Sequence, residues 1–105
     1  MCRNYLLGLV IIALVQNASA AEYEVGQRDK AFSTVYLKVK VGDTVFFVNN
    51  DPYFHNIFSL SETRPFDLGS YPQGERRKVT FDRAGKVFVE CAIHPFMKMQ
   101  IDVSE

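Results

Sequence analysis

The residues with the richest chemistry in this sequence lie in one run near its C-terminal end, Cys91-Ala92-Ile93-His94-Pro95-Phe96-Met97-Lys98-Met99. Within seven residues it offers a thiolate, an imidazole and a thioether. The other histidine of the chain, His55, lies upstream between turn residues and a β-forming run. Two imidazoles, one thiolate and a weak axial thioether form the ligand set of a blue-copper electron-transfer centre. Thiolate and thioether are soft and favour Cu(I), imidazole suits both oxidation states, and a rigid frame keeps the geometry nearly constant as an electron comes and goes.

Other uses of these residues fit less well. Structural zinc prefers four strong ligands, and only three strong donors are offered. Catalytic zinc held by two His and one Cys would leave Met97 without a role and finds no nearby glutamate suited to general-base work. Covalent haem attachment needs Cys-x-x-Cys-His, which is absent. A Cys-His nucleophilic pair would need an oxyanion site and an orienting Asp or Asn; the proline directly after His94 suits a braced ligand loop better. An inert Cys91 with two bystander histidines stays open as the purely structural alternative.

The elements that must position these donors read as strands, because apolar residues recur with period two and not 3.6. Val35, Leu37, Val39 and Val41 alternate with Tyr36, Lys38 and Lys40, the pattern of a half-buried strand. Gly42-Asp43 supplies a turn, and residues 44–48 (TVFFV) form a denser run expected to be a central strand covered on both sides. Asn49-Asn50-Asp51-Pro52 ends it with turn chemistry, and residues 56–60 make a short strand with His55 at its mouth. Residues 61–74 are expected to be irregular because of Pro65, Gly69, Pro72 and Gly74, with Phe66, Leu68 and Tyr71 tying the stretch to the core. Residues 78–81 and 86–91 read as a hairpin around Asp82-Arg83-Ala84-Gly85. The last strand, residues 99–103, places Met99, Ile101 and Val103 on one face and Gln100 and Asp102 on the other. That shared face makes Met99 a core residue and favours Met97 as the thioether donor. With a first strand at residues 23–25, six or seven short strands predict an all-β, antiparallel sandwich.

The first twenty residues read differently. Arg3 gives a basic start, residues 5–15 (YLLGLVIIALV) are apolar, and Ala18-Ser19-Ala20 is a small-x-small site, so residues 1–20 are expected to be a signal peptide cut before Ala21. The apolar run is short of the roughly 20 residues a membrane span needs. Cys2 would leave with the leader, making Cys91 the single thiol of residues 21–105 in an oxidising compartment. Twelve basic residues balance twelve acidic ones, and removing Arg3 tips the balance to one net negative charge. The only basic cluster, Arg76-Arg77-Lys78, reads as a solvated strand start, with a docking patch for an acidic partner as its second use. With no arginine-rich segment and no RNA-binding or zinc-finger signature, nucleic acid is not an expected partner.

The sequence also resembles the small cupredoxins, the family of plastocyanin, pseudoazurin and amicyanin. The resemblance lies in VKVGDTVFFVNNDPYFHN at residues 39–56 and CAIHPFM at residues 91–97, and extends over residues 35–103. The short spacing between His94 and Met97 is similar to amicyanin, whereas Met99 would fit the longer plastocyanin spacing. The resemblance implies a Greek-key β-sandwich with one copper ion held by His55, Cys91, His94 and Met97. It implies a buried first imidazole, a partly exposed second one, and an Asn56 whose backbone and side chain brace the thiolate and its loop. It further implies a monomeric periplasmic electron carrier, not an enzyme, working between redox proteins such as a dehydrogenase and a c-type cytochrome. Copper storage or delivery is the alternative function. Phe54, Pro95 and Phe96 flank the ligands and are expected to form an apolar apron where a partner docks.

Overall fold

A computed structural model describes residues 20–105; the expected leader, residues 1–19 of it, lies outside the described residues. Nine strands follow one another: β1 (Glu22–Arg28), β2 (Ala31–Phe32), β3 (Tyr36–Lys40), β4 (Thr44–Asn49), β5 (His55–Ser59), β6 (Phe66–Tyr71), β7 (Arg76–Thr80), β8 (Gly85–Cys91) and β9 (Lys98–Ser104). They form two sheets, ordered β2-β1-β4-β7 and β3-β9-β8-β5-β6. The inner faces carry Val25, Val45, Phe47 and Val79 from the first sheet and Val39, Ile57, Val87, Val89, Ile101 and Val103 from the second, all buried in one core. Alternation along the central strands explains the sandwich: β4 and β9 bury every second residue.

The all-β Greek-key sandwich agrees with expectation, but three details differ. The sheets are not purely antiparallel, since β1 pairs with β4 and β3 with β9 in parallel. Short turns between the sheets produce this: Gly42, at φ 96°, and Asp43 carry the chain from β3 in one sheet to β4 in the other. Secondly, β7 and β8 do not form a hairpin, because residues 81–84 cross between sheets and β8 pairs with β9 and β5 instead. Phe81, expected at a strand end, is buried in that crossover and fixed by Phe81 N–H to the Asp43 carbonyl at 2.9 Å.

Thirdly, the stretch expected to be irregular contains β6, an edge strand paired only with β5 across a register irregularity. Pro65 stands before its first residue and Gly69 has φ 70°, both tolerated at an edge where one side needs no ladder. Phe66 and Tyr71 tie it down as expected; the Phe66 and Phe47 ring centroids are 6.0 Å apart. Among the framework aromatics, Phe88 points outward from β8, and Phe46 lies under the Arg76 guanidinium at 4.4 Å. Arg77 is occupied locally, paired with Glu75 and donating to the Leu68 carbonyl, so the basic cluster is spread over two faces of β7.

Candidate metal centre

At one end of the sandwich the connections β4–β5 and β8–β9 meet. His55 opens β5 and is fully buried, Cys91 closes β8 at 1% exposure, and His94 sits half-buried on the loop that leads to β9. That loop is tied at its base: Cys91 N–H donates to the Met97 carbonyl at 3.3 Å, and Met97 N–H to the His94 carbonyl at 2.9 Å. The Ala92 amide donates to the Asn56 carbonyl at 2.9 Å, which fastens the loop to β5.

The donors converge. His55 Nδ1 and His94 Nδ1 are 3.3 Å apart, and Cys91 Sγ lies 3.5 Å from the first and 3.8 Å from the second. Nitrogen and sulfur donors bound to one first-row metal at about 2.0 and 2.3 Å, with angles of about 110–125°, stand roughly 3.3–3.8 Å apart. The three atoms therefore have the spacing of ligands that share an ion.

Each donor is oriented from behind. His55 Nε2 lies 2.7 Å from Asp51 Oδ2, a buried contact that fixes the ring and directs Nδ1 toward Cys91 Sγ. Asp51 in turn accepts the Asp29 amide at 2.6 Å and the Lys30 amide at 3.2 Å, at a turn where both residues have positive φ. Burial alone would raise the Asp51 carboxyl, but its hydrogen bonds from His55, Lys30 and Asp29 outweigh burial and hold it below the ordinary value. Asn49 braces the same segment, its amide nitrogen donating to the Tyr53 and Tyr71 carbonyls at 2.8 and 2.9 Å. Tyr71 hydroxyl donates to Gln27 Oε1 at 2.8 Å; burial, with the nearby Cys91 sulfur, pushes this phenol up, so it stays protonated.

Partial burial and the neighbouring His55 and Lys30 lower the His94 imidazole, with Asp51 pulling the other way. A neutral ring keeps its lone pair for a metal at neutral pH. The Asn56 amide N–H points at Cys91 Sγ at 3.5 Å. Its side chain does not reach the ligand loop, contrary to the expectation. With the amide oriented to face acceptors, it donates to Asp67 Oδ1 at 2.9 Å and the Gly69 carbonyl at 3.2 Å, bracing β6.

Met97 is 2% exposed although Phe96 and Lys98 on either side face solvent, so its side chain turns inward at the ligand end. Met99 pairs with Val89 in the β8–β9 ladder and is buried with Ile101 and Val103. Phe54 and Phe96 are 54% and 68% exposed; Phe54 directly precedes His55, and the Phe96 and His94 ring centroids are 6.0 Å apart. The residues that sequence reasoning passed over are Asp51 and Tyr53. Asp51 stood inside the run Asn49-Asn50-Asp51-Pro52, read only as a turn, with its four-residue spacing to His55 as the available signal; Tyr53, just after that run, packs its ring against His55 and His94 at 5.6 and 5.4 Å between centroids.

Known proteins share this architecture. Residues 19–104 match the family described as copper binding proteins, plastocyanin/azurin family. Methylamine utilization protein MauL of Methylorubrum extorquens is 32% identical over 99 residues, covering 93% of this chain and 87% of MauL. Amicyanin of Paracoccus denitrificans is 31% identical over 75 residues, covering 69% of this chain and 57% of amicyanin. Among solved structures, a Cu(I) amicyanin mutant superposes with a TM-score of 0.74 at 26% identity, covering 79% of this chain and 82% of that one. The copper-containing nitrite reductase of Thermus scotoductus superposes with a TM-score of 0.75 at 30% identity, and the chain spans only 22% of its length. A family match over nearly all described residues, joined to a His, Cys, His cluster at the ligand end, leads to one assignment: this chain belongs to the plastocyanin/azurin family of copper binding proteins.

Proposed function

We propose that this protein is a single-electron carrier of an exported compartment, in which His55 Nδ1, Cys91 Sγ, His94 Nδ1 and the Met97 thioether would hold one copper ion. The observation that carries the reading is the convergence of the three strong donors within 4.8 Å of one another on two tied loops. Copper in such a set supplies a Cu(I)/Cu(II) couple. The protein's part is to hold the donors in place before metal arrives, so that little moves when the charge changes. Asp51 locks His55, the Asn56 amide stabilises the thiolate, and half-exposed His94 offers an edge through which an electron reaches a partner.

Residues 1–20 act as the export signal, which puts the carrier in the periplasm. The partners are redox proteins, a dehydrogenase as donor and a c-type cytochrome as acceptor, in keeping with the similarity to amicyanin and to a methylamine utilization protein. A redox titration of the copper-loaded protein tests the carrier role. Reversible one-electron behaviour is the expected result; copper that binds but does not cycle reversibly would favour storage or delivery.

The choice of Met97 over Met99 has its own test. Met97→Ala should shift the reduction potential and the visible spectrum while copper stays bound. Met99→Ala removes a core side chain and should cost about 2–5 kcal/mol in urea unfolding, with the spectrum kept. If the two variants exchanged these outcomes, Met99 would be the ligand.

The exposed apron of Phe54, Pro95 and Phe96 around His94 is the docking face of this reading. A glutamate at Phe96 should slow electron transfer with a partner about tenfold, the scale of one interface anchor, and leave spectrum and stability alone. Unchanged rates in a folded, copper-loaded Phe96→Glu variant would move the docking face elsewhere.

A further inference from the structure

Far from the ligands, one buried acid has no cationic partner. Asp43 is 4% exposed, and no Lys or Arg side chain among the described residues pairs with it. Its Oδ2 accepts the Lys40 amide at 2.8 Å, and its Oδ1 accepts the Ala21 nitrogen at 2.8 Å. Lys38 and Lys40 line the same open cavity as Ala21 and Asp43, but neither forms an ion pair with the carboxylate among the described residues. Ala21 is also held by its carbonyl, which accepts the Thr44 amide at 3.0 Å just before β1 joins β4. Ala20 and Ala21 are exposed, so the bond between them is open to a processing enzyme. The residue whose nitrogen meets this carboxylate is the one that follows Ala18-Ser19-Ala20.

We propose that Asp43 is a receptor for the N-terminal ammonium created when a leader-processing endopeptidase cuts between Ala20 and Ala21. Water cleaves the amide, giving its hydroxyl to the Ala20 carbonyl carbon and a proton to the Ala21 nitrogen, which takes a second proton from solvent. A neutral amide donor becomes a cation in place, and a hydrogen bond in which only the carboxylate carried charge becomes an ion pair with both partners charged. Cleavage thereby stabilises the domain at the start of β1. This inference rests on the export part of the proposed function and is independent of the copper site.

The first test is the intact mass of the protein recovered from the periplasm of a bacterial host, which must correspond to a chain beginning at Ala21. The second compares urea unfolding of chains starting at free Ala21, at acetylated Ala21 and at retained Ala20, each with Asp43 and with Asp43→Asn. Blocking or displacing the ammonium should lower the folding equilibrium constant about tenfold when Asp43 is present and no more than about twofold with Asp43→Asn. A product beginning elsewhere, or equal losses in both backgrounds, overturns the proposal. Should Asp43→Asn fail to fold, the Ala21 ammonium is titrated by NMR in the unaltered protein. A proton held above the ordinary α-amino range of about 7.7–8.0 supports the clamp, and an ordinary value overturns it. Copper absorption, read in the same samples, separates a failure of this clamp from a failure of the metal centre.

Discussion

Cys91→Ser is expected to abolish the visible charge-transfer absorption and the one-electron activity of the copper-loaded protein while leaving the sandwich folded. An anionic thiolate donates charge strongly to Cu(II), which the weak neutral thioether of Met97 does not, whereas a serine hydroxyl stays protonated at neutral pH and offers a harder oxygen. Placement makes the loss complete. Cys91 is the only cysteine among the described residues, and its Sγ is the shared neighbour of both histidine nitrogens, so no other thiol can replace it. The fold survives because serine is close to isosteric and the Cys91 backbone keeps its bond to Met97 and its ladder with Ile57. Circular dichroism and absorption after copper addition check both halves. A blue band retained in Cys91→Ser would remove the thiolate from the site.

Asp51→Ala is expected to damage stability and metal binding together. One carboxylate serves His55 Nε2 and two backbone amides in a buried position, and alanine leaves all three without their acceptor. Breaking a buried charged contact of this kind costs about 3 kcal/mol, a large part of the stability of so small a domain. Releasing the His55 ring should also weaken copper binding by about 10- to 100-fold, the usual scale for losing the group behind a histidine ligand. Acid provides a milder form of the same test. The folded Asp51 carboxyl lies below its ordinary value, so its stabilisation is full above the unfolded carboxylate range and is lost as pH falls through the folded value. Metal-free protein should therefore lose stability below about pH 4, and Asp51→Asn should remove this contribution to the acid slope. An unchanged midpoint for Asp51→Ala in urea, with unaltered copper affinity, would deny Asp51 both roles.

Strand faces were legible only in part: Val35, Leu37, Val39 and Val41 alternate cleanly, yet only Val39 is buried, and Val35 and Val41 lie exposed beyond the ends of β3. In residues 99–103 the order of Met99, Gln100, Ile101, Asp102 and Val103 dictated which side chains are buried, and the structure agrees. The His55, Cys91, His94 cluster was legible because thiols and imidazoles are rare in this chain and Cys91 and His94 stand three residues apart, although His55 lies 36 residues upstream of Cys91. Pairing was not legible. A turn such as Gly42-Asp43 reads the same whether it closes a hairpin or passes the chain to the opposite sheet, so the parallel β1–β4 and β3–β9 pairs had no local signature. Strand β6 was hidden for a related reason: an edge strand needs only one ladder, so Gly69 could stay within it while cancelling its sequence signal. Asp51 escaped because turn propensity and ligand support call for the same residue type, and only the three-dimensional fold brings the turn at Asp29 and Lys30 against it.

The central claim is that His55, Cys91 and His94 form a preorganised redox copper site. Its most direct test is the visible absorption of the purified domain on titration with Cu(II). The account predicts an intense thiolate-to-copper band that saturates at one equivalent, bleaches on reduction and returns on oxidation. Folded protein with reduced Cys91 that takes up Cu(II) without such a band, or takes up none, would contradict it.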